Sequence, residues 1–270
     1  MPVMRIQRPE DPRLHDYRNV RDPELLRRRR QFVAEGRVVV GRLLESGYRV
    51  VSLLLSEQSL ASLQDRLGRI PDLPVYVAST DALESIVGFN LHRGCLALAE
   101  CPPSRDPIEV AAGADLLLVL EGVTDPDNVG SAFRNAAAFG AGGVLLSPTC
   151  CDPLYRKAVR TSMGSILRVP YARVENWPWA LAALKAEGFV LVALTPKDHA
   201  IDLSACARQQ PRQKMALLVG TEGPGLTADA ESMVDVCVRI PTRPEIDSLN
   251  LATATGIALY YLTNPQSLVP

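Results

Sequence analysis

No stretch of this 270-residue sequence approaches the roughly 18 consecutive apolar residues that a membrane helix needs. The strongest candidate, Leu116–Leu120, stops at Glu121. The N-terminus reads MPVMRIQRPEDPR and lacks the apolar core of a secretory leader, so a cytoplasmic protein with no membrane partner is expected. The six cysteines, at 95, 101, 150, 151, 206 and 237, form no C-x-x-C pair. Neither a zinc knuckle nor a thioredoxin motif is supported, no metal is expected, and the thiols read as reduced. There is no G-x-G-x-x-G, which removes a dinucleotide-dependent dehydrogenase, and no Gly-Lys-Ser/Thr loop to cradle phosphate. Aromatics are scarce at 5% and lysines scarcer, four against twenty-five arginines.

What is present is ordinary globular material. Apolar residues make up 47% and charged residues 22%, which excludes wholesale disorder and suffices for one large domain or two small ones. The net charge is −1, yet residues 1–30 hold nine arginines against five acids, +4 locally. Guanidinium forks match phosphate geometry. The same excess also follows from a GC-rich genome, and the run Arg27–Arg30 reads as a solvated helix face before a binding patch.

The organisation follows from punctuation and periodicity. Residues 1–21, basic and Pro-rich, read as an arm or a disordered leader. Residues 22–101 alternate helix and strand: Asp22 caps a helix with Pro23 in its first turn that runs on through Phe32 and Val33, and strands follow at Val50–Leu55, Val75–Val77 and Cys95–Ala99. The double proline of CPPSRDP opens a linker over 102–112. Residues 113–270 alternate continuous apolar strands with helices, the pattern of an α/β domain around a mostly parallel sheet. A helix over Asp152–Thr161 and a last helix over residues 249–262 are part of that pattern.

Ligands of open α/β sheets bind beyond the carboxyl ends of the strands, and three loops there stand out. In LEGVTDPDNVGSAFRNAAAFG, Asn128 is placed as an N-cap, and Arg134 and Asn135 sit in a helix of small residues. A charge on such a helix is either paired with a structural carboxylate or directed into a cleft. In LLVGTEGPGL, three glycines in six residues permit positive φ and close backbone approach, with Glu222 among them. That carboxylate either binds backbone amides or does chemistry. In IPTRPEIDSLNLATATGIALYYL, Ser248 is a natural N-cap for a helix lined by Ala252, Ala254 and Gly256.

Together, in this order, the three loops resemble the signature motifs of the SpoU (TrmH-like) branch of the SPOUT RNA methyltransferases. Asn128, Gly130 and Arg134 match the first, Gly220 to Leu226 the second, and Ile240, Pro241, Ser248, Leu249 and Asn250 the third. The resemblance covers about residues 113–265. Leu251-Ala252 departs from the family's usual Val-Ser, and TRPEID is more charged than the usual loop. The module at 22–101 is more loosely similar to a small ribosomal-protein-like α/β substrate-binding domain, through Glu35-Gly36 and the closing HRGCLALAE.

The resemblance implies a SPOUT-type open sheet with a deep C-terminal trefoil knot and a homodimer. It implies transfer of a methyl group from S-adenosyl-L-methionine to a ribose 2′-hydroxyl of structured RNA, ribosomal before transfer RNA. Catalysis would fall to Arg134, Asn250, Ser248 and Glu222. The cofactor would lie against Gly220, Ile240 and Leu249, with Leu194, Thr195 and Thr221 nearby, and Asn128 and Arg160 would meet the substrate. The competing reading is a non-catalytic RNA-binding or ribosome-assembly protein on the same fold.

Overall fold

A computed structural model describes residues 2–18, 22–87, 94–209, 213–243, 245 and 248–264. Arg21, His92 and Arg93, and Pro244, Ile246 and Asp247 of the TRPEID loop, lie outside the described residues. The chain forms two compact units, Met1–Pro103 with Pro153–Arg168, and Ser104–Asp152 with Val169–Pro270.

The first unit is built on a five-stranded mixed sheet. Its strands are β1 (Val3–Arg5), β2 (Gln31–Glu35), β3 (Val50–Leu55), β4 (Val75–Val77) and β5 (Cys95–Glu100), in the order β1-β4-β3-β5-β2. The expectation of a basic arm over 1–21 is corrected here. β1 pairs in parallel with β4, and a 3-10 turn over Pro12–Tyr17 buries Leu14 and Tyr17 completely against the sheet. Three apolar residues, Ile6, Leu14 and Tyr17, belong to this unit's core and are hidden in the sequence among prolines and arginines. The Tyr17 hydroxyl shares a hydrogen bond with Ser52 Oγ at 2.8 Å.

Phe32 and Val33 also depart from expectation. The helical turn from Asp22 ends at Arg30, whose φ of 54° is left-handed, and the chain continues as β2, antiparallel to β5. Both faces of β2 are covered, so its apolar residues run without the alternation that marks a half-exposed strand. Part of that cover comes from Pro153–Arg168, which sequence reading assigned to the catalytic domain. Within this unit Arg160 Nη1 lies 3.4 Å from Glu35 Oε1, and Arg42 Nη1 donates to the Met163 carbonyl at 2.6 Å. The helix there spans only Arg156–Thr161.

The second unit is a seven-stranded sheet in which every strand pair is parallel. Its strands are β6 (Leu116–Glu121), β7 (Gly143–Leu146), β8 (Tyr171–Arg173), β9 (Val190–Leu194), β10 (Ile201–Asp202), β11 (Met215–Gly220) and β12 (Val236–Arg239), in the order β10-β12-β9-β11-β6-β7-β8. Central strands buried on both faces explain runs such as LLLVL, each leucine contributing about 1.5–3 kcal/mol on burial. The expected linker is partly a helix, Pro107–Ala112, whose N-cap Asp106 accepts from the Ile108 and Glu109 amides at 2.7 and 3.3 Å. The Asp-Pro pair starts that helix because proline loses nothing at a first helical position.

Register aligns the strand ends that matter. Gly220 pairs with Glu121, Val219 with Leu194, and Leu194 with Val238. The carboxyl ends of β6, β11, β9 and β12 therefore form one rim. From β6 the chain builds outward through β7 and β8, and then starts the other half at β9. β11 fills the gap between the halves, which is the switch point where such sheets bind ligands.

Candidate active site

A pocket of about 150 Å³ opens on that rim. Its walls come from the ends of β9 (Leu194, Thr195, Pro196), β11 (Val219 to Gly223, and Gly225) and β12 (Ile240, Thr242), and from the start of the last helix (Ser248, Leu249, Leu251, Ala254). All six residues expected against the cofactor, Leu194, Thr195, Gly220, Thr221, Ile240 and Leu249, line it, together with Glu222 and Ser248. Pro196, Thr242, Leu251 and Ala254 were not anticipated.

The loop after β11 owes its shape to glycine. A bridge between Thr221 and Gly225 folds it back on itself. A Cβ on Gly220 would stand 2.1 Å from the Gly225 carbonyl carbon and 2.3 Å from the Leu226 nitrogen. Glycine at 220 is thus required by the loop's own backbone rather than by a ligand above it. Gly223 and Gly225 supply positive φ, +85° and +74°, with open space around each.

A network of three side chains stands at the pocket's edge. The last helix, Leu251–Thr263, is capped by Asn250 and not by Ser248: Asn250 Oδ1 accepts from the Ala252 and Thr253 amides at 2.9 and 3.3 Å. Its Nδ2 donates to Asn128 Oδ1 at 3.3 Å and to Glu222 Oε1 at 3.2 Å. Asn250 thereby uses its full hydrogen-bonding capacity and joins the three motifs. Ser248, released from capping, is exposed at the pocket wall. The cap of the first-motif helix is likewise one turn earlier than expected. That helix spans Pro126–Ala138, Asp125 accepts from the Asp127 amide at 2.9 Å, and Asn128 is buried in the first turn, its amide free to meet Asn250.

Arg134 lies on the exposed side of that helix and makes no hydrogen bond or ion pair with any described residue. The reading as a structural ion pair is therefore not what is observed. Nor is Arg134 a wall of the pocket. Among the described residues, Glu222 is held by Asn250 alone. Asn135, flagged beside Arg134, donates from Nδ2 to the Ala252 carbonyl at 2.7 Å and clamps the first-motif helix to the last one. Arg160 lies in the first unit with Glu35.

One carboxylate escaped sequence reading altogether. Glu121, 4% exposed at the end of β6, accepts from Trp177 Nε1 at 2.5 Å, Thr227 Oγ1 at 2.7 Å and the Thr227 amide at 2.9 Å. It fastens the far side of the 220–227 loop from beneath. The signal was there, an acid ending an otherwise apolar strand, since a buried charge must be fully partnered.

A parallel α/β sheet with a pocket at its switch point, walled by loops whose side chains interlock, defines an open α/β domain with a candidate ligand site at its carboxyl rim. Residues 115–260 match the SpoU rRNA Methylase family. The chain is 45% identical to an uncharacterized tRNA/rRNA methyltransferase of Mycobacterium bovis, over 94% of this chain and 90% of that protein. It is 30% identical to the 23S rRNA (guanosine-2′-O-)-methyltransferase RlmB of Xylella fastidiosa, over 84% of this chain and 89% of the relative. Its fold superposes on an AdoMet-bound rRNA methyltransferase from Sinorhizobium meliloti with a TM-score of 0.82 at 24% identity, covering 99% of both chains. The chain belongs to the SpoU rRNA Methylase family.

Proposed function

We propose that this chain transfers a methyl group from S-adenosylmethionine to a ribose 2′-hydroxyl of structured RNA, with ribosomal RNA as substrate. Family membership supports RNA methyl transfer, and the likeness to a guanosine-2′-O-methyltransferase supports ribose as the acceptor. The observation that carries the reading is the pocket, bordered by the Asn128–Asn250–Glu222 network.

The lining fits the cofactor. Leu194, Ile240, Leu249 and Leu251 offer apolar walls to a flat base, and Glu222, the sole ionisable wall residue among the described ones, offers negative charge to a sulfonium. When bound, S-adenosylmethionine supplies an electrophilic methyl group. The chain's own residues do the rest. A ribose hydroxyl is a poor nucleophile, so charge developing on its oxygen needs a counter-charge. Arg134, exposed and unpaired among the described residues, is the guanidinium assigned to it. Asn250 has no donor to spare and acts as a positioning residue, fixing Glu222 and Asn128, while the Ser248 hydroxyl, at the pocket wall, is assigned to orient the ribose. Holding the reactants in line is worth about 7–11 kcal/mol in favourable cases.

The first unit is assigned to RNA binding and the second to the cofactor; Arg160, beside Glu35 at 3.4 Å, is already partnered. From β12, near one sheet edge, the chain reaches a last helix clamped to the helix that follows β6, a crossing of β9 and β11 that supports the trefoil knot. The last helix, with Tyr260 42% exposed, is the surface assigned to a homodimer.

Mapping 2′-O-methylation in total RNA with and without the gene tests the reading. One or more sites lost in the deletion are expected, and an unchanged map overturns it. Calorimetry with S-adenosylhomocysteine separates the enzyme from a non-catalytic RNA-binding protein, which would bind none.

A further inference from the structure

Outside the residues that line the pocket, three side chains of metal-binding type converge. His199 follows β9, Glu231 lies on the short helix Ala228–Ser232, and Cys237 is on β12. One ligand atom from each, imidazole nitrogen, carboxylate oxygen and thiol sulfur, lies within 4.8 Å of the others. We propose that His199, Glu231 and Cys237 bind a zinc ion.

The geometry favours it. His199 Nε2 and Glu231 Oε1 are 3.5 Å apart. Two tetrahedral ligands at zinc bond lengths of about 2.0–2.1 Å stand about 3.3 Å from each other, so this pair is already set. A sulfur at about 2.3 Å from the same ion would lie about 3.6 Å from the nitrogen, inside the 4.8 Å that bounds the three ligand atoms. Glu231 provides the second, independent observation. Its Oε1 is buried without a hydrogen-bond donor, whereas Lys197 Nζ takes Oε2. His199, with 58% of its side chain exposed, leaves the ion a way in. The ligand set of thiolate, imidazole and carboxylate selects zinc over magnesium or calcium. On binding, the Cys237 thiol gives its proton to solvent and the sulfur–zinc bond forms. Three protein ligands leave a fourth position for water, the pattern of an exchangeable site.

The site has a structural consequence. The segment from Leu194 to Pro196 walls the pocket, and His199 lies three residues on. An ion there ties this loop to β12 and to the helix carrying Glu231. Cysteine spacing alone gives no hint of it, because its ligands are mixed and 38 residues apart at the extremes, from His199 to Cys237.

The test uses the full chain, reduced and freed of metal, titrated with Zn2+ and separately with Co2+. One Zn2+ per chain is expected, with a thiolate-to-metal absorption band for Co2+ and selective protection of Cys237 from alkylation. His199→Ala and Cys237→Ser should each weaken binding at least tenfold, since even removal of an outer partner of a metal ligand costs about 10–100-fold. Zn2+ should raise the unfolding temperature of the wild type but not of His199→Ala. The exposed His199 makes that variant safe should Cys237→Ser fail to fold. Wild-type affinity in His199→Ala, a cobalt spectrum without the thiolate band, or protection of Cys150 and Cys151 instead of Cys237 each overturns the proposal.

Discussion

The first thirty residues carry nine arginines, and the helix after β6 carries one. By count the N-terminal segment is the binding surface. By bonding the order reverses. Arg5 pairs with Glu57 at 2.9 Å, Arg13 with Asp11 at 2.6 Å, Arg28 with Glu24 at 3.7 Å, and Arg29 with Asp16. Arg18 donates to the Pro9 and Asp11 carbonyls, and Arg30 to that of Pro102. Of the described arginines of this segment, only Arg8 and Arg27 have no partner among the described residues, and Arg134 likewise has none. Charge already committed to a neighbour must be released before it meets a ligand, so isolation marks function better than density does.

The largest effect expected is at Arg134. Arg134→Ala should abolish methyl transfer and leave cofactor affinity nearly unchanged, as measured by single-turnover methylation and calorimetry. Retention of more than about a tenth of the wild-type rate, a barrier change under about 1.4 kcal/mol, breaks the contrast between the lone arginine and the paired ones.

Next come two glycines of one loop. Gly220→Ala places a Cβ 2.1 Å from the Gly225 backbone and should open the loop, cutting cofactor affinity at least tenfold. Gly223→Ala meets nothing within 4 Å and carries only the cost of a φ of +85°, about 1–2 kcal/mol of stability with near-normal affinity. Calorimetry on both variants separates backbone collision from ligand contact. Equal losses would mean that the loop's flexibility, not its closure, is what matters.

A smaller effect belongs to Glu121, the partnered counterpart of Glu222 on the adjacent strand. Glu121→Ala strands three donors, on Trp177 and Thr227, and should lower unfolding free energy by about 3 kcal/mol in urea. Glu222→Gln, exposed and holding one Asn250 hydrogen, should cost under about 1 kcal/mol. A stability loss at Glu222 equal to that at Glu121 would show it to be structural.

How much of this was legible depends on where the information resides. The parallel sheet and its strand ends were readable, because runs such as LLLVL and MALLVG encode burial directly. The pocket wall was readable because its residues lie at strand ends fixed by register. The caps were not. Asn128 and Ser248 are good N-cap residues, yet Asp125 and Asn250 took the positions, and what decided was a contact 122 residues away, Asn250 on Asn128. The N-terminal segment was misread for the opposite reason: its local composition is polar, and only the sheet it covers reveals why Leu14 and Tyr17 are there. Likewise Phe32 and Val33 fit a helical period until β5 is present to pair with them.

The smallest expected effect is the sharpest test of the arginine comparison. Arg13 and Arg27 are both exposed enough to reach a phosphate, but Arg13 is bound to Asp11 through Nη2 at 2.6 Å and Nε at 2.9 Å, and Arg27 to nothing described. The Arg13 guanidinium holds the Asp11 carboxyl at about 2, below its ordinary 3.8. A lowered carboxylate pKa stabilises the fold above the ordinary value, and that contribution is lost as pH falls through about 2, so the pair is intact throughout the neutral range where RNA binds. Arg27→Ala should therefore reduce the slope of log affinity against log salt by up to about 1, the signature of one lost phosphate contact, and Arg8→Ala should behave alike. Arg13→Ala should leave the slope unchanged, because the charge it removes is already neutralised by Asp11. A filter-binding series on ribosomal RNA fragments across a salt gradient measures all three. A slope change in Arg13→Ala equal to that in Arg27→Ala would mean that RNA strips the guanidinium from Asp11, and density rather than isolation would then define the binding surface.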